Sequence, residues 1–307
     1  MTMVAQWDAV HRRYGELVAV EDVSLVLQAG EVTALVGHNG AGKTTLIKLL
    51  LGAIRPDAGS VRVAGFDPAG SRGAEARRTI GFLPESVAFH GAMTAIELMA
   101  FYARLKGAPV RDNPALLERV GIAHAARRRV GTYSKGMRQR LGIAQALIGA
   151  PRLLLFDEPT SGLDPASRSD VYRTIDALRA GGATVLVSTH ALAEVQDRVD
   201  RVAIVHRGRL LTAGTLPELR RRAAAEARIR LRVQAGAGDR VLALLPAAAH
   251  CIERGATELT VQTSQDGKMP VLRALAGAGE LVEDIETDTP GLQQLYDRLI
   301  AGEQVEA

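Results

Sequence analysis

The 307-residue chain has one cysteine, Cys251. No disulfide can close within it, and a lone thiol points to a reducing compartment. His250 stands beside Cys251, yet sequence neighbours seldom converge on one ion and no CxxC accompanies them. The cysteine therefore reads as a small buried thiol. No run of about 18 apolar residues occurs, so no membrane span is expected and another chain has to supply any membrane part. The opening "MTMVAQWDAVHRRYG" lacks a basic start followed by an apolar run, so it does not read as a secretory signal. Excess charge is also scarce: 38 Lys and Arg against 34 Asp and Glu leave a net +4. Arginine-rich helices then read as solvated faces, and no nucleic-acid partner is expected.

What is present is ordinary globular composition, 47% hydrophobic and 23% charged, at a length that fits one large domain and one small one. The first half alternates strand-like and helix-like pieces. "EVTALVG" is a short apolar run and the helix-like "KTTLIKLLLG" follows it. "GSVRVAG" and "RRTIGFLPES" each carry a short strand. Helical spacing then dominates "TAIELMAFYARLKG", "NPALLERVGI" and "KGMRQRLGIAQALIGA". "RLLLFDEP" and "ATVLVSTH" are apolar runs of buried-strand length. Between them lies a helix with Pro165 in its first turn and Gly181 past its end. "DRVAIVHRGRLLTAG" reads as two strands joined at Arg207 and Gly208. The expected fold is an α/β domain over 1–223 with a helical subdomain at about 84–150. A small α/β accessory domain over 224–307 follows, with strands in "RIRLRV", "ELTVQTS" and "ELVEDIE".

Two stretches carry chemistry. "GHNGAGKTTLIKLL" places Gly37 and Gly42 around His38, Asn39, Gly40 and Ala41, with Lys43, Thr44 and Thr45 opening a helix. Glycines let the backbone fold tightly so that its N–H groups point at phosphate oxygens, and the helix N-terminus adds positive dipole. Lys43 then supplies a full charge to β- and γ-phosphates and the Thr44 hydroxyl reaches Mg²⁺. In "LLLFDEP" a buried strand ends in Asp157 and Glu158. Ligand groups of open α/β sheets stand at such strand ends. Asp157 is placed to hold Mg²⁺, and Glu158 to orient and deprotonate an attacking water. No Asn-Lys-x-Asp guanine reader is present, which argues against a GTPase.

The stretch "YSKGMRQRLGIAQALIGAPRLLLFDEPTSGLDP" resembles the nucleotide-binding domain of ATP-binding cassette (ABC) transporters, a P-loop NTPase fold. The resemblance runs from about Val4 to Leu219. It implies that Ser134 and Gly136 form the signature loop, that Asp164 belongs to the dimer-contact loop, and that His190 is the switch histidine at the γ-phosphate. It also implies that Tyr14 stacks on adenine. Taken singly, Tyr14 reads as a strand aromatic, His190 as a structural hydrogen-bonder and Asp164 as a helix cap. Two positions depart from the pattern: Lys135 stands in the signature, and Glu85 where a Mg²⁺-contacting glutamine is usual. The resemblance further implies ATP and Mg²⁺ as cofactors and a second copy of the chain forming an ATP sandwich. An integral-membrane permease partner and a place on the cytoplasmic face of a bacterial inner membrane follow as well.

The stretches "GFLPESVAFHGAMTAIELMAFYARLKGA" and "EDIETDTPGLQQLYDRL" resemble the ATPases of transporters that mature the copper–sulfur centre of periplasmic nitrous oxide reductase. That implies a periplasmic accessory protein, reached through the permease. The alternatives are an exporter ATPase for a drug, lipid or polysaccharide, and a soluble ABC ATPase.

Overall fold

The computed structural model describes residues 2–223, 226–288 and 290–306. The chain forms two compact units, Met1–Gly214 and Thr215–Ala307. The expected boundary at Ala224 lies outside the described residues. The helix Leu216–Arg222, expected to close the first domain, belongs to the second unit. It packs beside the C-terminal helix Leu292–Glu306, and Arg220 Nε donates to the Pro290 carbonyl at 3.0 Å.

The first unit is built on a six-stranded sheet. In spatial order its strands are Ile80–Leu83, Leu153–Asp157, Val185–Thr189, Val32–Val36, Arg201–His206 and Arg209–Gly214. All neighbours are parallel except the last pair. Three of these strands, Val32–Val36, Leu153–Asp157 and Val185–Thr189, are buried at every residue. A sheet covered on both faces demands that pattern, and the continuous apolar runs of the sequence reflect it. The last pair is a hairpin whose turn residues Arg207 and Gly208 have φ of 46° and 81°. Two successive positive φ values match the right-handed twist of the strands they join.

A second, antiparallel sheet consists of Leu17–Gln28, Met3–Tyr14 and Ala58–Val63, and only the last of these strands was expected from the sequence. Its strands bulge repeatedly, which blurs the two-residue alternation that would mark them. It shares one core with the helix Lys43–Leu50. Trp7 is fully buried there and its Nε1 donates to the Leu46 carbonyl at 3.2 Å. Within residues 84–150 lie the helices Ala95–Lys106, Asn113–Arg119 and Lys135–Ala146. The first has a capping box, Thr94 with Glu97, and ends at Gly107 with a left-handed φ of 66°.

The second unit combines strands and helices. Its strands His250–Arg254, Glu258–Thr263, Ala227–Val233 and Val282–Asp288 lie in that spatial order and pair antiparallel throughout. With the helices Gly238–Leu242 and Lys268–Ala276 the chain order is β-α-β-β-α-β, the split arrangement of ferredoxin-like folds. Val241 and Val271 of the helices share one core with Ile229, Leu231 and Val261 of the strands. The edge strand His250–Arg254 is exposed along its whole length, so no apolar alternation announces it. Cys251 sits on this edge and is exposed, not buried as its residue type suggests.

Candidate functional site

The parallel sheet explains why distant sequence stretches meet. Val36 pairs with Thr189, and Asp157 with Ser188. The loop after Val36, the acidic pair and His190 therefore leave neighbouring strands at the same, C-terminal end.

The loop itself is shaped by close approach. A Cβ on Gly37 would stand 2.4 Å from the Val205 carbonyl oxygen, and one on Gly42 would stand 2.5 Å from that of Ala19. Gly42 also has φ of 104° as the N-cap of Lys43–Leu50. Gly42→Ala is expected to cost about 1–3 kcal/mol in backbone strain before the clash is counted. Denaturant unfolding measures it, and the KM for nucleotide should rise with it.

Lys43 is buried, and its ammonium donates to the carbonyls of Gly37 at 2.6 Å and His38 at 3.2 Å. It also stands 3.3 Å from Glu158 Oε1, an ion contact outside hydrogen-bonding geometry. Thr44 Oγ1 donates to Asp157 Oδ2 at 3.2 Å, and Ser188 Oγ donates to Asp157 Oδ1 at 2.6 Å. The Glu158 backbone N–H donates to Ser188 Oγ at 2.9 Å. Glu158 itself holds φ at 47°, unusual for a residue with a side chain. Its Oε2 is 2.9 Å from His190 Nδ1. The Lys43 ammonium and the His190 imidazole thus share one carboxylate, that of Glu158.

A cavity of about 460 Å³ brings together Tyr14, residues 39–45, Glu85, Glu158 and His190. Tyr14 is partly exposed and the Arg12 guanidinium lies over its ring at 4.9 Å. Gly37 and His38 contribute carbonyls behind the loop, and the His38 ring packs edge-on against His206 at 5.0 Å. Asp157 lies beneath Thr44 and is buried. Ser134, Gly136 and Asp164 do not line this cavity. Ser134 caps the helix Lys135–Ala146 by accepting from the Met137 N–H at 3.2 Å. Asp164 caps Pro165–Ala180, and the Ser167 N–H holds its carboxyl below the usual range. Gly136 presses on Ser167, whose Oγ would be 2.3 Å from a Cβ there.

Sequence reasoning missed Ser188, Ser161 and Arg12. Ser188 sits inside "VSTH", where a polar residue in a wholly buried strand was the available signal. Ser161 lines the cavity from the loop after Glu158. Arg12 lay in strands the sequence did not reveal.

The residues fit a nucleotide with Mg²⁺. The glycine cradle leaves room only for backbone, and a hydroxyl stands against a buried carboxylate. Mg²⁺ needs only one or two carboxylates beside phosphate oxygens and waters. Among the described residues no cluster of three His, Cys, Asp or Glu could hold a metal by itself.

The family described as ABC transporter matches residues 20–161. The daunorubicin resistance ATP-binding protein DrrA3 of Streptomyces coeruleorubidus is 34% identical over 295 residues, covering 94% of this chain and 93% of that one. The linearmycin resistance ATP-binding protein LnrL of Bacillus subtilis is 33% identical over 249 residues, covering 80% and 79%. A solved structure, the ATP binding subunit of an ABC transporter, superposes with a TM-score of 0.65 at 31% identity, covering 71% of this chain and 92% of that one. The chain therefore belongs to the ATP-binding subunits of ABC transporters, ATPases that bind ATP with Mg²⁺, work in pairs and partner with a membrane permease.

Proposed function

We propose that the chain hydrolyses ATP to drive a bacterial exporter of antibiotic-like small molecules through a separate permease. One observation carries this reading. The likeness to the daunorubicin resistance protein spans 94% of the chain, so it includes the second unit as well as the ATPase. Lipid and polysaccharide cargoes belong to the same export class, and the relatives' names favour drugs.

In this reading the N–H groups of residues 38–42 and the helix N-terminus hold the phosphates. Lys43 gives up the Gly37 and His38 carbonyls for β- and γ-phosphate oxygens. Thr44 and Asp157, with Glu85 lining the same cavity, would hold Mg²⁺, which would supply neutralising charge to the phosphates. Glu158 takes a proton from water as the water attacks the γ-phosphorus. The bond to the bridging oxygen then breaks and ADP departs. His190 orients Glu158 and contacts the γ-phosphate, and Tyr14 offers its ring to adenine. Ser134, Gly136 and Asp164 serve the nucleotide of the partner chain, which accounts for their place outside their own cavity. The helical subdomain meets the permease, and its helix Ala95–Lys106 exposes Ile96, Phe101 and Leu105. No described helix is long and apolar enough to cross a membrane. The chain works peripherally, at the cytoplasmic face of the inner membrane.

A second reading rests on the stretches at 81–108 and 283–299, which resemble NosF, the ATPase of the NosDFY transporter. Copper–sulfur centre maturation of nitrous oxide reductase is the task there, with a periplasmic accessory protein as a further partner. One strain, carrying Glu158→Gln in this chain, separates the two. Export predicts heightened susceptibility to amphiphilic antibiotics and normal nitrous oxide reduction. Unchanged susceptibility with an incomplete copper centre in the purified reductase overturns export in favour of the second reading.

A further inference from the structure

Glu194 lies four residues after His190, on the short helix Leu192–Val195. Both of its carboxylate oxygens are engaged. Oε1 accepts from Arg168 Nη1, and Oε2 accepts from the Tyr172 hydroxyl at 3.0 Å. The same two partners reach back to the loop that follows Glu158. Arg168 Nη2 donates to the Leu163 carbonyl at 3.3 Å, and the Tyr172 hydroxyl neighbours the Thr160 side chain. Tyr172 is buried, and desolvation pushes its phenol up to about 12, so the hydroxyl keeps its proton throughout the neutral range. The first turn of helix Pro165–Ala180 also touches the signature loop, through Ser167 against Gly136.

Stability does not account for this convergence. Arg168 and Glu194 have side chains 38% and 27% exposed, and ion pairs at such exposure contribute little to folding. The helix is docked without them. Arg198 pairs with Asp176, and Arg179 pairs with Asp200, whose other oxygen accepts from the Val32 N–H at 2.8 Å. What the Glu194 cluster adds is a fixed geometry between two pieces of the site. One is the His190 turn, which contacts Glu158. The other is the 160–164 loop, which begins beside the cavity at Ser161 and ends in Asp164.

We propose that Glu194 is a positioning residue that ties the His190 turn to the 160–164 loop through Arg168 and Tyr172. Pairing of two chains at that loop then sets the histidine and Glu158 for hydrolysis. The inference rests on the ATPase reading above and names a device within that site.

The test is steady-state ATP hydrolysis by the purified full-length protein. Glu194→Gln keeps the size and removes the charge, and is expected to lower kcat about tenfold through misplacement of the catalytic pair. The KM for ATP should stay within about twofold, since nothing that touches nucleotide is altered, and cooperativity toward ATP should fall. Arg168→Ala and Glu194→Ala should each cost about as much as the double variant, because they remove one shared link. Arg168→Lys should recover part of the lost rate. An unchanged kcat, a KM that rises in step with the loss of kcat, or strictly additive single effects would overturn the proposal. Should Glu194→Gln fail to fold, Tyr172→Phe deletes one oxygen and reads the same split, with a fall in kcat of about threefold. Wild-type protein beside Lys43→Ala separates the two levels of the argument. A wild type that does not hydrolyse ATP overturns the ATPase reading along with this one. An active wild type with an unaffected Glu194→Gln overturns only the role of Glu194.

Discussion

Glu158→Gln is expected to cut ATP turnover about 10²–10⁴-fold, the loss of a general base, while nucleotide still binds. The amide preserves the side chain's size, so the Glu158 backbone keeps its bonds to Ser188 Oγ and its φ of 47°. What disappears is the proton acceptor and the negative partner of Lys43 and His190. Binding should not suffer, because the phosphate contacts come from the loop and Lys43. The variant should instead collect as an ATP-bound pair of chains. Phosphate release measures the rate, and gel filtration with and without ATP measures pairing. Turnover within a few-fold of wild type would remove Glu158 as the base.

Lys43→Ala is expected to abolish nucleotide binding or hydrolysis, since the phosphate charge then meets no full positive charge in the loop. The structure adds a second consequence. Lys43 and Glu158 have side chains only 6% and 10% exposed. Removing the cation leaves a nearly buried carboxylate with its Oε1 uncompensated, a loss of about 3–5 kcal/mol when a buried pair is broken one-sidedly. The double variant Lys43→Ala, Glu158→Gln should recover part of that stability and none of the activity. Denaturant unfolding of the three proteins, alongside ATPase assays, checks both statements. Normal turnover by Lys43→Ala would sink the phosphate-loop reading.

The readable parts of the site were those written in contiguous sequence. The glycines, Lys43 and Thr44 need their order because one tight turn has to open directly into the helix Lys43–Leu50. Asp157 and Glu158 stand at the end of an apolar run because a strand buried on both faces has no other place for charge. The hairpin at Arg207 and Gly208 and the helix begun by Pro165 were legible for similarly local reasons. Strands 3–14 and 17–28 were not, since bulges interrupt their alternation. Nor was the strand at Cys251, exposed on both faces, and its thiol stands in the open as a result.

The sequence by itself determined the phosphate loop, the acidic strand end, the helical insert and, by resemblance, the family. Each of these depends on residue types at fixed short spacings, which the covalent chain enforces. Only the tertiary structure decided that Glu158 faces both Lys43 and His190, across 115 and 32 positions of sequence. It alone placed Ser188 beneath the acidic pair, joined Glu194 to the loop after Glu158, and gave the second unit its antiparallel β-α-β-β-α-β sheet. Those relations arise from strand order and register, and hydrogen bonds between strands far apart in the chain set both.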